Sequence, residues 1–157
     1  MNTHLPIYLA RELAKRICEE AMQAYPHECC GALLGRDHAS NSPSRQIVDV
    51  LPLGNRENEA SRNRFAVSPE DVVEAEQRAR AQSLDVVGWY HSHPDYPARP
   101  SETDRENALP WYSYVIVSVV NGQMEDLRSW RLNDDRTGYS EETVTSQYVP
   151  AHEDRLR

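Results

Sequence analysis

The apolar residues of this chain change their period several times, and each change marks an expected element. From Ile7 to Tyr25, Leu9, Leu13, Ile17 and Ala21 recur at helical spacing while Arg11, Lys15, Arg16, Glu19 and Glu20 cover the other faces, which predicts an amphipathic helix. Pro26 ends it by disfavouring the α conformation at Tyr25. Cys29 to Leu34 is a short continuous apolar run closed by Gly35, with Glu28 just ahead of it, and reads as a buried strand. Ile47 to Leu51 reads as a second strand, antiparallel to the first if the polar stretch from Asp37 to Ser44 is a simple hairpin loop.

Gly54 to Arg64 is polar and aperiodic, so it is expected to be a surface loop with a functional role, followed by a brief strand at Phe65-Ala66-Val67. Ser68-Pro69-Glu70-Asp71 combines an N-cap serine, a proline at the first helical position and first-turn acids, opening a helix to about Gln82 that buries Val72, Ala75 and Ala79. Leu84 to Tyr90 is a strand that leads into a His91-Ser92-His93 turn. Asp95 to Pro100, stiffened by Pro97, Pro100 and the preceding Pro94, cannot be helical, whereas Ser101 to Leu109 starts a short helix before Pro110. Tyr112 to Val120 and Met124 to Leu132 form a hairpin about Asn121-Gly122. Beyond Asn133 the chain is polar apart from Val144 and Tyr148-Val149, so at most one edge strand is expected there, with disordered last residues.

These elements predict one domain over residues 1–135 and a polar tail over 136–157. The fold class is α/β of the α+β type: a mixed, largely antiparallel sheet with helices packed on it. No apolar run approaches the roughly 20 residues of a membrane span, and Met1 to Pro6 lacks the pattern of a secretory signal. A cytoplasmic protein is expected. The net charge of −8 and the lack of a Lys/Arg stripe argue against nucleic acid as a partner. Cys18, Cys29 and Cys30 show no CxxC spacing and are expected to be reduced, mostly buried thiols.

The candidate chemistry lies at His91-Ser92-His93-Pro94, with six residues separating Pro94 from Ser101 and two separating Ser101 from Asp104. Histidines at i and i+2 of an extended segment point to one side. Two imidazoles and a carboxylate make a three-ligand zinc set that leaves one tetrahedral position open, as in catalytic sites. Asp104 also fits a capping box with Ser101 as N-cap, and both readings can hold together. Hydrolysis needs a base as well. Glu28 is the candidate, because it opens an apolar strand where Glu70, Glu74 and Glu76 merely lie on a helix face; the alternative is an acid at a solvated strand end. Ser101 either donates to a developing oxyanion or only caps the helix.

With Glu28-Cys29-Cys30-Gly31, this set resembles the JAMM (MPN-plus) zinc metallopeptidase family over roughly Tyr8 to Leu132. The resemblance implies that His91, His93 and Asp104 bind zinc, that Glu28 activates water and that Ser101 stabilises the tetrahedral intermediate. It also implies a curved, cytidine-deaminase-like sheet flanked by helices, and cleavage after the C-terminal Gly-Gly of a ubiquitin-like protein. Pro26-His27-Glu28-Cys29-Cys30-Gly31 and Ala98-Arg99-Pro100-Ser101 look like the stand-alone prokaryotic branch, whose members process sulfur-carrier proteins and release cysteine from a carrier adduct. Competing expectations are a general JAMM peptidase with a deubiquitinase-like or cell-wall substrate, and a non-catalytic MPN scaffold. A RadC-type domain shares the spacing, but it normally has Asn where Ser92 stands and Ser-Gly where Asp95-Tyr96 stands.

Overall fold

The structure is a computed structural model that describes residues 6–37, 44–53 and 67–146. The elements run β1 (Ile7–Leu9), α1 (Arg11–Ala24), β2 (Cys30–Arg36), β3 (Arg45–Pro52), α2 (Pro69–Ala81), β4 (Asp85–Pro94), α3 (Glu102–Asn107), β5 (Ser113–Val120), β6 (Gln123–Leu132), β7 (Tyr139–Glu142) and β8 (Val144–Thr145). All eight strands join one sheet in the order β7-β6-β5-β4-β2-β3-β1-β8. Its pairings are mixed: β2 with β3, β2 with β4, β5 with β6 and β6 with β7 are antiparallel, while β1 with β3, β1 with β8 and β4 with β5 are parallel.

Each face of the sheet carries one of the longer helices. On one, Ile17, Cys18 and Ala21 of α1 pack with Leu33, Ile47, Val115 and Val117. On the other, Ala75 and Ala79 of α2 pack with Ala32, Leu34, Trp89 and Leu132. Strand side chains alternate between these two layers, so the central strands are buried on both sides and read as continuous apolar runs.

The β2–β3 pair and the β5–β6 hairpin are as expected, and Asn121 and Gly122 at the hairpin turn have φ of +52° and +81°, the two left-handed residues of a type I′ turn. Four expectations are corrected. The first helix begins at Arg11, because Ile7 and Leu9 are fully buried on one side of a strand paired in parallel with β3 and Ala10 is extended. Helical spacing at Leu9 was coincident with strand alternation, and pairing decided between them. His91-Ser92-His93 is the end of strand β4 rather than a turn, since both of its flanks are paired. In α2, Ala75 and Ala79 are buried as expected, but Val72 is half-buried and Asp71, in a capping box with Ser68, is buried in addition. Finally, the stretch beyond residue 136 supplies two strands rather than at most one.

Those two strands change the shape of the sheet. β7 lies on one edge and β8 on the other with Thr143 alone between them, and the Ile7 N–H donates to the Thr143 carbonyl at 2.9 Å. The curved sheet is thereby nearly closed into a barrel. Glu142 at this seam is fully buried and satisfied: Arg131 pairs with it at 2.7 Å, and Ser129 and Ser113 donate to it at 2.7 and 3.1 Å. Buried Arg45 then donates to Ser113 Oγ at 2.8 Å and to the Val87 carbonyl at 2.9 Å. The loop expected over Gly54 to Arg64, Phe65 and Ala66 of the brief strand, most of the loop between β2 and β3, and the last residues from 147 lie outside the described residues.

The parallel β4–β5 contact is tight enough to require glycine. A Cβ on Gly88 would lie 2.1 Å from the Ser113 carbonyl oxygen, whereas one on Gly138 would meet nothing nearer than 3.7 Å. Gly88→Ala is expected to destabilise the fold by about 2 kcal/mol or more, and Gly138→Ala to stay within about 0.5 kcal/mol of the parent. Urea unfolding of the two variants checks this; equal stabilities would refute the tight packing.

Candidate metal centre

The centre is built on the last four residues of β4. This strand is held by β2 in the antiparallel sense (Cys30 opposite His91) and by β5 in the parallel sense (His91 beside Ile116, His93 beside Ser118). Strand alternation therefore puts His91 and His93 on one face, with Ser92 on the other. The third group comes from α3, whose N-cap is Ser101. The Asp104 N–H donates to Ser101 Oγ at 3.1 Å, and Asp104 Oδ2 accepts the Ser101 N–H at 2.8 Å. The capping box and the ligand set are one structure, as the sequence allowed.

Three donor atoms converge. His91 Nε2 and His93 Nε2 lie 3.2 Å apart, His93 Nε2 lies 3.1 Å from Asp104 Oδ2, and His91 Nε2 lies 3.3 Å from Asp104 Oδ1. All three residues are buried. Ligands about 2.0–2.1 Å from a zinc ion at tetrahedral angles would be about 3.3 Å from one another, so the spacing fits zinc. His93 Nδ1 lies 2.8 Å from the Pro97 carbonyl, which can only accept; the proton is therefore assigned to Nδ1, and Nε2 presents its lone pair.

The electrostatics agree. Burial lowers the pKa of His91, favouring the neutral imidazole that a metal requires. For His93 burial also works against the cation, but the hydrogen bonds with Asp104 and Pro97 outweigh it and raise its pKa. Burial opposes the charge of Asp104 too; hydrogen bonds from His91, His93 and the Ser101 N–H nevertheless hold its carboxyl far below the usual carboxylate range. An ionised carboxylate thus faces two imidazoles.

Glu28 precedes β2 and is half-buried. Burial pushes its carboxyl up to about 7, His93 pulls it down and the charge of Asp104 pushes it further up. Its Oε1 has no hydrogen-bond partner among the described residues. Glu70, Glu74 and Glu76 stand exposed on α2. Of the five residues singled out, His91, His93 and Asp104 are in direct contact, Ser101 is bonded to Asp104, and Glu28 feels the charges of His93 and Asp104.

Two contributors were not anticipated. The Ser92 hydroxyl accepts the Cys29 N–H at 2.9 Å and the Ser92 N–H donates to the Cys29 carbonyl at 3.1 Å, anchoring the segment that carries Glu28. Strand alternation could have shown that Ser92 faces away from the ligands. The Pro97 carbonyl had no side-chain signal at all. The three cysteines form no disulfide, and burial pushes the Cys29 thiol well above its usual range.

Residues 10–133 match the family described as prokaryotic homologs of the JAB domain. The chain belongs to this family. Among similar proteins, one named desampylase from Haloferax volcanii is 37% identical over 59% of this chain and 63% of its own length. This chain thus spans less than two thirds of that relative. A CysO-cysteine peptidase from Mycobacterium tuberculosis is 31% identical over 90% of this chain and 93% of its own length. A JAB1/MPN domain protein from Archaeoglobus fulgidus shares the fold, with a TM-score of 0.53 at 22% identity, covering 90% of this chain and 99% of that one.

Glu28 gives the JAB domain a measurable pH dependence. Because its folded-state pKa is raised, the fold favours the neutral acid; that contribution is complete below the ordinary value of 4.5 and is lost as pH rises through about 7. In metal-free protein Glu28→Gln, held neutral, is expected to be more stable than the parent near pH 8, by on the order of 1 kcal/mol given its partial exposure. The difference should vanish near pH 4. Urea unfolding at both pH values tests this, and a parent that is equally stable relative to the variant at both would contradict the raised pKa.

Proposed function

We propose that this JAB-domain protein is a zinc-dependent hydrolase that cleaves the peptide or isopeptide bond after the C-terminal Gly-Gly of a ubiquitin-like or sulfur-carrier protein, releasing cysteine or a short peptide. The convergence of His91, His93 and Asp104 beside a half-buried glutamate carries this reading. Relatives named desampylase and CysO-cysteine peptidase support the substrate class. A non-catalytic scaffold would have no use for three buried ligands and a desolvated base.

Zinc, when bound, supplies Lewis acidity that acidifies water and polarises a carbonyl oxygen. Glu28 accepts a proton from the attacking water on its unpartnered oxygen and returns it to the leaving nitrogen, so the C–N bond breaks with a neutral amine as product. Ser101 Oγ accepts the Asp104 N–H, which leaves its own proton to donate to the developing oxyanion. Pro97 keeps His93 in the tautomer that offers Nε2. A Gly-Gly tail is the slimmest peptide and can approach buried ligands without a side chain to accommodate.

Among the described residues no helix is long and apolar enough to cross a membrane. A cytoplasmic setting fits three cysteines that form no disulfide.

The test uses a β-grasp carrier ending in Gly-Gly and joined to cysteine, followed by intact mass. Zinc-loaded protein should release cysteine, and a chelator should stop it until zinc is restored. Glu28→Gln should keep zinc and lose about 10²–10⁴-fold in rate. Intact adduct after incubation with zinc-loaded wild type, or undiminished cleavage by Glu28→Gln, would sink the proposal. Equal cleavage of unrelated peptides would point instead to a general peptidase.

A further inference from the structure

Four consecutive residues after His93-Pro94 are each tied to the sheet, two to β5, one to β4 and one to β6. The Asp95 N–H donates to the Val119 carbonyl at 2.7 Å, and the Tyr96 carbonyl accepts from the buried Ser118 hydroxyl at 2.5 Å. The Pro97 carbonyl accepts from His93 Nδ1 at 2.8 Å, and the Ala98 carbonyl accepts from the Trp130 indole N–H at 2.9 Å. Asp95 begins this segment with φ of +62°, a left-handed conformation that aspartate enters more readily than most residues. Its side chain adds a second restraint. The Tyr25 hydroxyl lies 2.8 and 3.0 Å from the two carboxylate oxygens, and the Asn121 N–H donates to Oδ1 at 3.0 Å. Tyr25 is the C-cap of α1 and Asn121 belongs to the β5–β6 turn, so one carboxylate joins a helix end, a hairpin turn and the segment behind the metal ligands.

We propose that Asp95 and Tyr25 are positioning residues for the metal centre: their clamp holds residues 95–98 so that the Pro97 carbonyl fixes the Nδ1-protonated tautomer of His93 and aims Nε2 at His91 and Asp104. The inference rests on the metal-hydrolase reading for its purpose, but its geometry stands apart from it. Pro97 is two residues from Asp95, so a rotation about the Asp95 or Tyr96 backbone displaces its carbonyl. A hydrogen bond weakens steeply when its angle is lost. With that acceptor displaced, the His93 proton would be free to move to Nε2, where it would be stabilised by Asp104 Oδ2 at 3.1 Å and would block the ligand lone pair. Partners that hold the distal nitrogen of a ligating histidine have this role in general. Here the partner is a main-chain carbonyl, so its position must be set by groups further out.

The experiment reads the tautomer directly. In protein with 15N-labelled histidine and no metal, long-range 1H–15N spectra should show wild-type His93 protonated at Nδ1. Tyr25→Phe, which removes only a hydroxyl, and Asp95→Ala should show a mixture of tautomers. Their zinc affinity, measured by competition with a chromophoric chelator, should fall about 10-fold. Asp95→Asn keeps an acceptor oxygen and tolerates positive φ, so it should restore most of both. A wild-type spectrum with zinc affinity within about twofold of wild type in folded Tyr25→Phe and Asp95→Ala would overturn the proposal, even if both variants were less stable. If Asp95→Ala fails to fold, Tyr25→Phe decides alone. Because the tautomer is read without metal or substrate, a wild type that cleaves no carrier conjugate would sink the proposed function and leave the clamp standing.

Discussion

Two parallel strands cannot be joined by a tight turn, because the second must begin at the end where the first began. β4 and β5 are such a pair at the centre of this sheet, so after His93 and Pro94 the chain has to travel back the length of β4 before Ser113 can take its place beside Gly88. The returning segment brings the Pro97 carbonyl, the Ser101 cap and the Asp104 carboxylate to the two imidazoles. An antiparallel β5 would have needed only a short turn after β4, and no carboxylate would have been carried across the two imidazoles. The position of the centre at the carboxyl end of β4 thus follows from the sense of one strand pairing.

Two acidic nodes stand toward opposite ends of β5, buried Glu142 and half-buried Glu28, and they differ in how fully they are satisfied. Ser113 and Ser118 are five residues apart, or about 16 Å along an extended strand. Near Ser113, Glu142 meets Arg131, Ser113 and Ser129, so its charge is fully answered by groups of the seam it closes. Removing a partner from such a node leaves a buried charge exposed to the low-dielectric interior, which makes it a structural commitment. Near Ser118, Glu28 keeps an oxygen with no partner among the described residues and a carboxyl raised to about 7. A group left unsatisfied at cost to stability is free to exchange a proton.

The convergence of His91, His93 and Asp104 was legible in the sequence because each part has a local rule. His91 and His93 needed only strand alternation, and Asp104 needed only the capping box that places N3 beside its N-cap. The hairpin at Asn121-Gly122 and the α2 start at Ser68-Pro69 were legible for the same reason. What the sequence did not show was decided by pairing between distant segments. Ile7 and Leu9 fit a helix as well as a strand until β3 and β8 offered them partners. Tyr139 to Thr145 carries too few apolar residues to predict strands, yet the two open edges of the sheet leave unpaired backbone groups that this segment satisfies. The Pro97 carbonyl and the Asp95 carboxylate act through backbone geometry, which no side-chain pattern records.

Glu28 was the least certain residue from sequence because nothing local ties it to the histidines, and strand register supplies the missing link. Cys30 lies opposite His91 across the antiparallel β2–β4 pair. Continuing outward, Cys29 meets Ser92 through the N–H to Oγ bond and the Ser92 N–H to Cys29 carbonyl bond. Glu28 follows immediately, just outside β2, on the segment that these two bonds anchor. From there the charges of Glu28 and His93 reach each other: His93 pulls the Glu28 carboxyl down and Glu28 pushes the His93 pKa up. Ser92, facing the other side, therefore links the segment that carries Glu28 to the strand that carries the two histidines, and strand register matters here because a slip of one residue along β2 would exchange the two faces.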